Sequence, residues 1–202
     1  MNQNNKKIYI EVGANAGQDT ANYLSEDALL YAFEPVYELA HDLFNKFKNK
    51  NIIVVPFAVD IENTIKKFNI SAGQNVSCSS LNNFNKNIHN EWRGRSDFVF
   101  TDSYNVLTIR LDNFIDIYNI KEIEYLHIDA QGNDFNVIKS LGDSISIVKA
   151  GKCEAAYSIN LYEDINNSYK DIIEYLELHG FNTRITMDGS SENAECDIHF
   201  FK

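Results

Sequence analysis

The run Glu11-Val12-Gly13-Ala14-Asn15-Ala16-Gly17 could hold a ligand against bare backbone. Glycine in such a turn permits a tight reversal and lets a ligand lie close to the main chain. The dinucleotide fingerprint G-x-G-x-x-G would need glycine at positions 15 and 18, where this chain has Asn15 and Gln18. The loop therefore fails as a pyrophosphate cradle and fits a ligand without phosphates. S-adenosylmethionine is such a ligand. Its amino-acid end can meet backbone groups and Glu11, so Glu11, Gly13, Ala14, Asn15 and Gly17 are its expected contacts. Glu34, flanked by Phe33 and Pro35, lies near the roughly 20-residue offset at which an acidic residue meets ribose hydroxyls in dinucleotide folds. Two carboxylate oxygens can accept from both hydroxyls. As a strand-end residue Glu34 is expected outside the core, so its removal should spare the fold. Ala58-Val59-Asp60 is expected to end a third strand and to flank the adenine, with Ala58 and Val59 in contact.

Transfer of a methyl group from a sulfonium is an in-line displacement. It needs the acceptor oxygen held roughly 3 Å from the methyl carbon and, for an alcohol, a group to accept the proton. Asp129 is placed for that: it ends a strand, and open α/β sheets bind ligands outside the carboxyl ends of their strands. It would also meet the cofactor; capping the following helix from Asn133 is its bland alternative. Glu154 occupies the corresponding place on the next strand and could orient the acceptor. His127, two residues before Asp129, shares its face but lies deeper, where a hydrogen-bonded core histidine is the simpler expectation and a catalytic base the sharper one. Asp129, Asp134 and Glu154 are also oxygen donors of the kind magnesium takes. The neighbouring Gln131 is uncharged, which leaves a metal ion as the minority view. Ser79, Ser80, Trp92, Arg93 and Arg95 sit in a stretch of hydroxyls, indole and guanidinium outside the regular elements. Indole stacking on a sugar face and arginine pairing with an anionic group would make them acceptor contacts.

These residues need strands and helices to converge. Ile8–Val12, Ala28–Phe33, Ile52–Phe57, Glu124–Ile128 and Val148–Tyr157 read as buried strands. Gln18–Ser25, Tyr37–Phe47, Phe135–Leu141 and Ser168–His179 read as helices. Such alternation predicts an α/β, Rossmann-like, doubly wound and mostly parallel sheet. Phe181–Met187 and Asp197–Phe201, around a turn at 188–191, are too close for a helical crossover and should form a C-terminal antiparallel strand pair. Residues 63–112 break the rhythm, with strand-like Thr64–Ile70 and Tyr104–Leu111. They are expected to be an insertion within a single domain spanning 1–202.

The net charge of −11 disfavours a nucleic-acid backbone as partner, because that binding draws on clustered Lys and Arg. The longest apolar stretch, Ile52–Val59, is too short to span a bilayer. No secretory signal is visible at the start. The three cysteines form no CxxC pair, which points to a reducing, cytoplasmic setting.

Taken together, the residues resemble the FkbM-type methyltransferase family. The likeness is carried by Glu11–Gly17, Ala32-Phe33-Glu34-Pro35, Phe57-Ala58-Val59, Leu107-Thr108-Ile109-Arg110-Leu111-Asp112 and His127-Ile128-Asp129-Ala130-Gln131-Gly132-Asn133-Asp134. It implies a class I methyltransferase fold, S-adenosylmethionine as donor, and O-methylation, often of sugar or polyketide hydroxyls. Two departures stand out. The family pattern reads Ile-Asp-Val-Glu-Gly, and here Gln131 replaces the Glu; His127 stands where Lys is common. An NAD-dependent oxidoreductase and a non-catalytic binding module on the same fold are the rival readings. Asn15 and Gln18 count against the first, and Gln131 keeps the second open.

Overall fold

Apolar, β-branched runs make the strands, and their depth in the sheet follows their hydrophobicity. In the computed structural model, which describes residues 6–73, 76–92, 94–187 and 194–202, ten strands form. They are β1 (Lys7–Val12), β2 (Ala28–Phe33), β3 (Ile52–Val55), β4 (Ala58–Val59), β5 (Thr64–Ser71), β6 (Phe100–Ile109), β7 (Tyr125–Ile128), β8 (Ala150–Ala156), β9 (Asn182–Met187) and β10 (Glu195–Phe201). The helices are α1 (Tyr37–Phe47), α2 (Ile88–Glu91), α3 (Leu111–Tyr118), α4 (Asp134–Lys139) and α5 (Tyr169–Leu178).

The main sheet has seven strands in the order β3-β2-β1-β7-β8-β10-β9. β3, β2, β1, β7 and β8 run parallel, and β10 pairs antiparallel with both β8 and β9. The chain leaves β1 toward β2 and β3, then returns on its other side at β7. That reversal opens a crevice at the carboxyl ends of β1 and β7, where open α/β sheets place their ligands. β2 is buried at all six residues because elements cover both its faces, as its unbroken run Ala-Leu-Leu-Tyr-Ala-Phe requires. One side is α1, which buries Ala40, Leu43 and Phe47. The other is α3, whose Phe114 ring stands edge-on to Tyr31 and Phe33 at centroid distances of 5.1 and 4.8 Å.

Several elements differ from the sequence expectations. Gln18–Ser25 forms only a short 3-10 turn at Thr20–Tyr23. The third strand stops at Val55, and Ala58–Val59 belongs to a second sheet of three strands, β4-β6-β5. There β4 pairs parallel with β6, and β6 pairs antiparallel with β5 from Thr64↔Thr108 to Ser71↔Phe100. The run expected as strand Tyr104–Leu111 ends at Ile109; Leu111 instead opens α3. Leu111, Phe114, Ile115 and Tyr118 carry helical spacing, which is the signal for α3. The closing pair β9–β10 forms as expected, while its turn at 188–191 lies outside the described residues. Among the described residues, no helix is long and apolar enough to cross a membrane.

Candidate active site

A cavity of about 640 Å³ opens at the carboxyl ends of β1, β2 and β7. Its walls fall into two groups. Residues 11–15, 18, 19, 33–36 and 57–59 make one side, and Phe68 with residues drawn from 76–98 makes much of the other.

The first side is built by the turn after β1. Gly13 adopts φ +84°, and a Cβ built there would stand 1.9 Å from the Asp129 carbonyl oxygen, so no side chain fits between the ends of β1 and β7. Asn15, with φ +46°, follows in the same left-handed region. Glu34 holds this turn. Its Oε2 accepts from the Asn15 N–H at 2.7 Å, and its Oε1 accepts from the Val36 N–H at 2.7 Å. Glu34 is therefore not an outlying strand end: it is 4% exposed, and removing it would leave two backbone donors without their acceptor. Burial pushes its carboxyl up to about 7, against the lowering effect of those two N–H donors. Each oxygen keeps a second lone pair for a ligand hydroxyl.

Glu11, Gly13, Ala14, Asn15, Phe33, Glu34, Pro35, Ala58 and Val59 all line the cavity. Gly17 does not. A Cβ there would meet Leu43 and Phe47 at 2.8 Å, so this glycine lets the turn pack on α1 and makes no wall. Ala58 and Val59 reach the cavity from the second sheet and not from the end of β3. Asp60 is turned away into an ion pair with Lys66 at 2.5 Å.

Asp129 follows β7 directly, beside Gly13, with its backbone N–H on the Val12 carbonyl at 2.9 Å. Register places Ile128 opposite Cys153, so Asp129 and Glu154 are neighbours across β7 and β8, and both line the cavity. The bland role for Asp129 falls to other residues. Asn133 occupies the N-cap position of α4, and Asp134, fully buried, accepts the Ala130 N–H at 3.2 Å. Burial raises the Asp129 carboxyl; a hydrogen bond from Gln131, then His127 and Lys152, oppose that. Glu154 is raised further, by burial and then by Glu195, Asp129, Asp134 and Asp197. Burial, followed by Asp129, pushes Asp134 up to about 7. Among the described residues, no group of three or more His, Cys, Asp and Glu side chains is gathered to hold a metal ion. Asp134 serves the turn before α4, which takes it out of the magnesium set that sequence suggested.

His127 stays behind the cavity wall. It is 3% exposed, its Nδ1 is 3.7 Å from Glu11 Oε1, and Tyr23 covers it at 5.6 Å. Thr20 donates to the other oxygen of Glu11 at 2.6 Å. The structure thus joins His127 to the floor beneath the turn and not to the reacting space.

On the far side, Ser79, Trp92 and Arg95 line the cavity, and Ser80 does not. Ser80 donates to the Gln131 carbonyl at 2.7 Å. Arg95 grips Asp97 with two nitrogens, at 2.9 and 2.6 Å, and lies over Trp92 and Phe98. Its charge is met within the protein, so the anion clamp expected of it is already closed. The indole is 7% exposed and sandwiched in that cluster, a wall more than a stacking platform. Arg93 lies outside the described residues. Sequence reasoning passed over Leu161 and Glu195, which reach the cavity from distant chain segments. It noticed Gln131 only as a departure from pattern.

The comparisons with known proteins agree with this geometry. The model of the methyltransferase FkbM domain matches residues 11–183. No curated protein matches the chain at the sequence level. Among solved structures, fibrillarin from Aeropyrum pernix in complex with S-adenosyl-L-methionine is similar at a TM-score of 0.55 and 10% identity, covering 97% of this chain and 66% of that one. An rRNA methylase from Streptococcus thermophilus gives 0.52 at 9%, covering 98% and 87%. Magnesium protoporphyrin IX methyltransferase from Synechocystis PCC 6803 with bound S-adenosylmethionine gives 0.53 at 9%, covering 98% and 70%. At such identities the likeness is one of fold, that of the class I methyltransferases. The family match covers the turn after β1, the end of β2 and the Asp129 segment alike, and on that ground the chain belongs to the FkbM methyltransferase family and is an S-adenosylmethionine-dependent methyltransferase.

Proposed function

We propose that the enzyme transfers a methyl group to a hydroxyl of a sugar, a glycan or a similar small molecule, with Asp129 as the proton acceptor. The observation that carries this is the position of Asp129 at the junction of the two sides of one cavity. The donor side suits a nucleoside without phosphates. Glu34 holds the turn and offers free lone pairs to a ribose, Phe33, Ala58 and Val59 supply apolar wall for an adenine, and Glu11 with the turn after β1 meets the amino-acid end. When bound, the sulfonium supplies an activated methyl group and a neutral leaving group. The chain's own task is to align an acceptor hydroxyl and remove its proton. Asp129 takes that proton and Glu154, in register beside it, orients the acceptor.

The acceptor side supports an uncharged small molecule. Among the described residues the cation on its wall is Arg95, already paired with Asp97. The net charge of −11 supports the same class over a nucleic acid. The segment at about 63–112 helps build the same cavity as β1 and β7, which supports one domain with an insertion.

The test is turnover of labelled S-adenosylmethionine against a panel of neutral glycosides, oligosaccharides, their phosphorylated or sulfated forms, and transcribed RNA. Label is expected on neutral hydroxyl acceptors. Label on RNA alone, or on phosphorylated acceptors in preference to neutral ones, would overturn the acceptor class.

A further inference from the structure

Gln131 departs from the family pattern, yet it is held more firmly than a tolerated replacement needs to be. Its backbone adopts φ +48°, a region that residues with side chains keep only where surroundings enforce it. Two contacts enforce it. Ser80 Oγ donates to the Gln131 carbonyl at 2.7 Å, and Gly132, at φ +87°, brings the next peptide under Tyr162, where a Cβ would meet the ring at 2.2 Å. The side chain is held at both ends of its amide. Nε2 donates to Asp129 Oδ1 at 2.6 Å, and Oε1 accepts from the Tyr162 hydroxyl at 3.0 Å.

The two ends of the amide are not interchangeable. An ionised carboxylate only accepts, so the atom facing it must be the NH₂ group. The Tyr162 hydroxyl has one proton and two acceptors near it, Oε1 at 3.0 Å and the Cys78 carbonyl at 3.3 Å; given to the nearer Oε1, it favours the orientation that Asp129 sets. At 2.6 Å the contact is short, the direction in which an ionised acceptor draws an N–H donor. With Oδ1 engaged, Oδ2 remains to face an acceptor.

We propose that Gln131, oriented by Tyr162, is a positioning residue that keeps Asp129 ionised and turns one of its oxygens toward the acceptor hydroxyl. This rests on the reading of Asp129 as the base. The group is otherwise placed to hold a proton. It sits in a buried pocket facing Asp19 from the turn after β1, Glu34 from the end of β2, Asp134 from α4 and Glu154 from β8, with the His127 ring on β7 beside it and Lys152 on β8 as the cation. A Glu at position 131 would lie against Asp129 as a second carboxyl, and such a pair retains one proton between them. Gln supplies the donor without the charge.

The experiment titrates the Asp129 side-chain carboxyl by carbon-13 NMR in the full chain saturated with S-adenosylhomocysteine. The resonance is assigned by its loss in Asp129→Asn. In Gln131→Met, which keeps length but no hydrogen bonds, the Asp129 midpoint should rise by about one to two pH units, the value of one hydrogen bond to a charged group. Tyr162→Phe should raise it less, because the amide can then turn over. Gln131→Glu, nearly the same shape, should split the titration into two separated steps. Under a purely structural role Gln131→Met would leave the Asp129 midpoint unmoved, and that result would overturn the proposal. Should Gln131→Met fail to fold, Tyr162→Phe still decides it, an unmoved Asp129 midpoint there overturning the proposal equally. With any acceptor found active, kcat should fall about tenfold in Gln131→Met with KM for the acceptor little changed. Full turnover in Asp129→Asn would remove the base reading itself; loss of turnover there with an unmoved Asp129 midpoint in Gln131→Met would remove only this inference.

Discussion

Replacing Asp129 by Asn should lower the methyl-transfer rate by about 100-fold to 10,000-fold, the usual range for a lost general base. Affinity for S-adenosylhomocysteine should change little. Asn keeps the size of the side chain, and its oxygen can still accept from Gln131 Nε2, so the turn before α4 is preserved. The missing element is a site for the acceptor's proton. Asn133, not Asp129, holds the N-cap position of α4, and the Phe135 N–H in its first turn is taken by Asn167 Oδ1 at 3.1 Å, so retained activity could not be assigned to a rescued cap. Single-turnover kinetics of the variant, with and without a chelator, give the answer. A rate near that of the unmodified enzyme excludes Asp129 as base and moves the search to Glu154. Sensitivity of the unmodified enzyme to chelator, reversed by magnesium, would reopen the metal reading.

Glu34→Ala should weaken binding of S-adenosylhomocysteine by about 1.5–3 kcal/mol, or roughly 10-fold to 150-fold, as a charged acceptor is lost. The variant should also melt lower, because the Asn15 and Val36 N–H groups lose their partner. Glu34→Gln keeps one acceptor oxygen and separates the two effects. The pH dependence adds an independent check. Burial raises the Glu34 carboxyl from the ordinary 4.5 to about 7. The protonated native form is favoured, so its contribution to stability is full below about 4.5 and is lost as pH rises through about 7. Ribose hydroxyls donate to the ionised form. Affinity should therefore increase as pH rises through about 7, with a proton released on binding below that value, and Glu34→Ala should lose this dependence. Calorimetry in buffers of different ionisation enthalpy reads both the affinity and the proton. Unchanged affinity in the Ala variant rules out ribose contact.

The parts of the fold legible in the sequence were those whose signal is local. β2 and α1 occur at the expected residues because a continuous apolar run is buried on both faces of the sheet and a helical stripe buries one well-defined face. The turn after β1 and Glu34 were readable for the same reason, since strand, glycine and carboxylate lie within a short span. The losses come from pairing at a distance. Ala58–Val59 looks like the tail of β3, but Pro56 interrupts it and β6, some 50 residues later, captures it into another sheet. Arg95 reads as an anion ligand until Asp97 is seen to neutralise it. Gln131 reads only as a departure from the family pattern, and only the fold brings Tyr162, from the segment after β8, to the far end of its amide.

The closeness of Gly13 to Asp129 has a consequence for how the site is assembled. The carbonyl of Asp129 occupies the space a Gly13 side chain would need, and the Asp129 N–H is bonded to Val12. The donor turn and the reacting carboxylate are thus two faces of one welded joint. The turn proposed to hold the methyl donor and the carboxylate proposed as proton acceptor need no mutual adjustment when a ligand enters, so the ordering entropy of that pair of segments is settled during folding. A change that reshapes the turn moves the carboxylate with it, while the acceptor wall, carried by separate strands and loops, is the part free to drift toward new substrates.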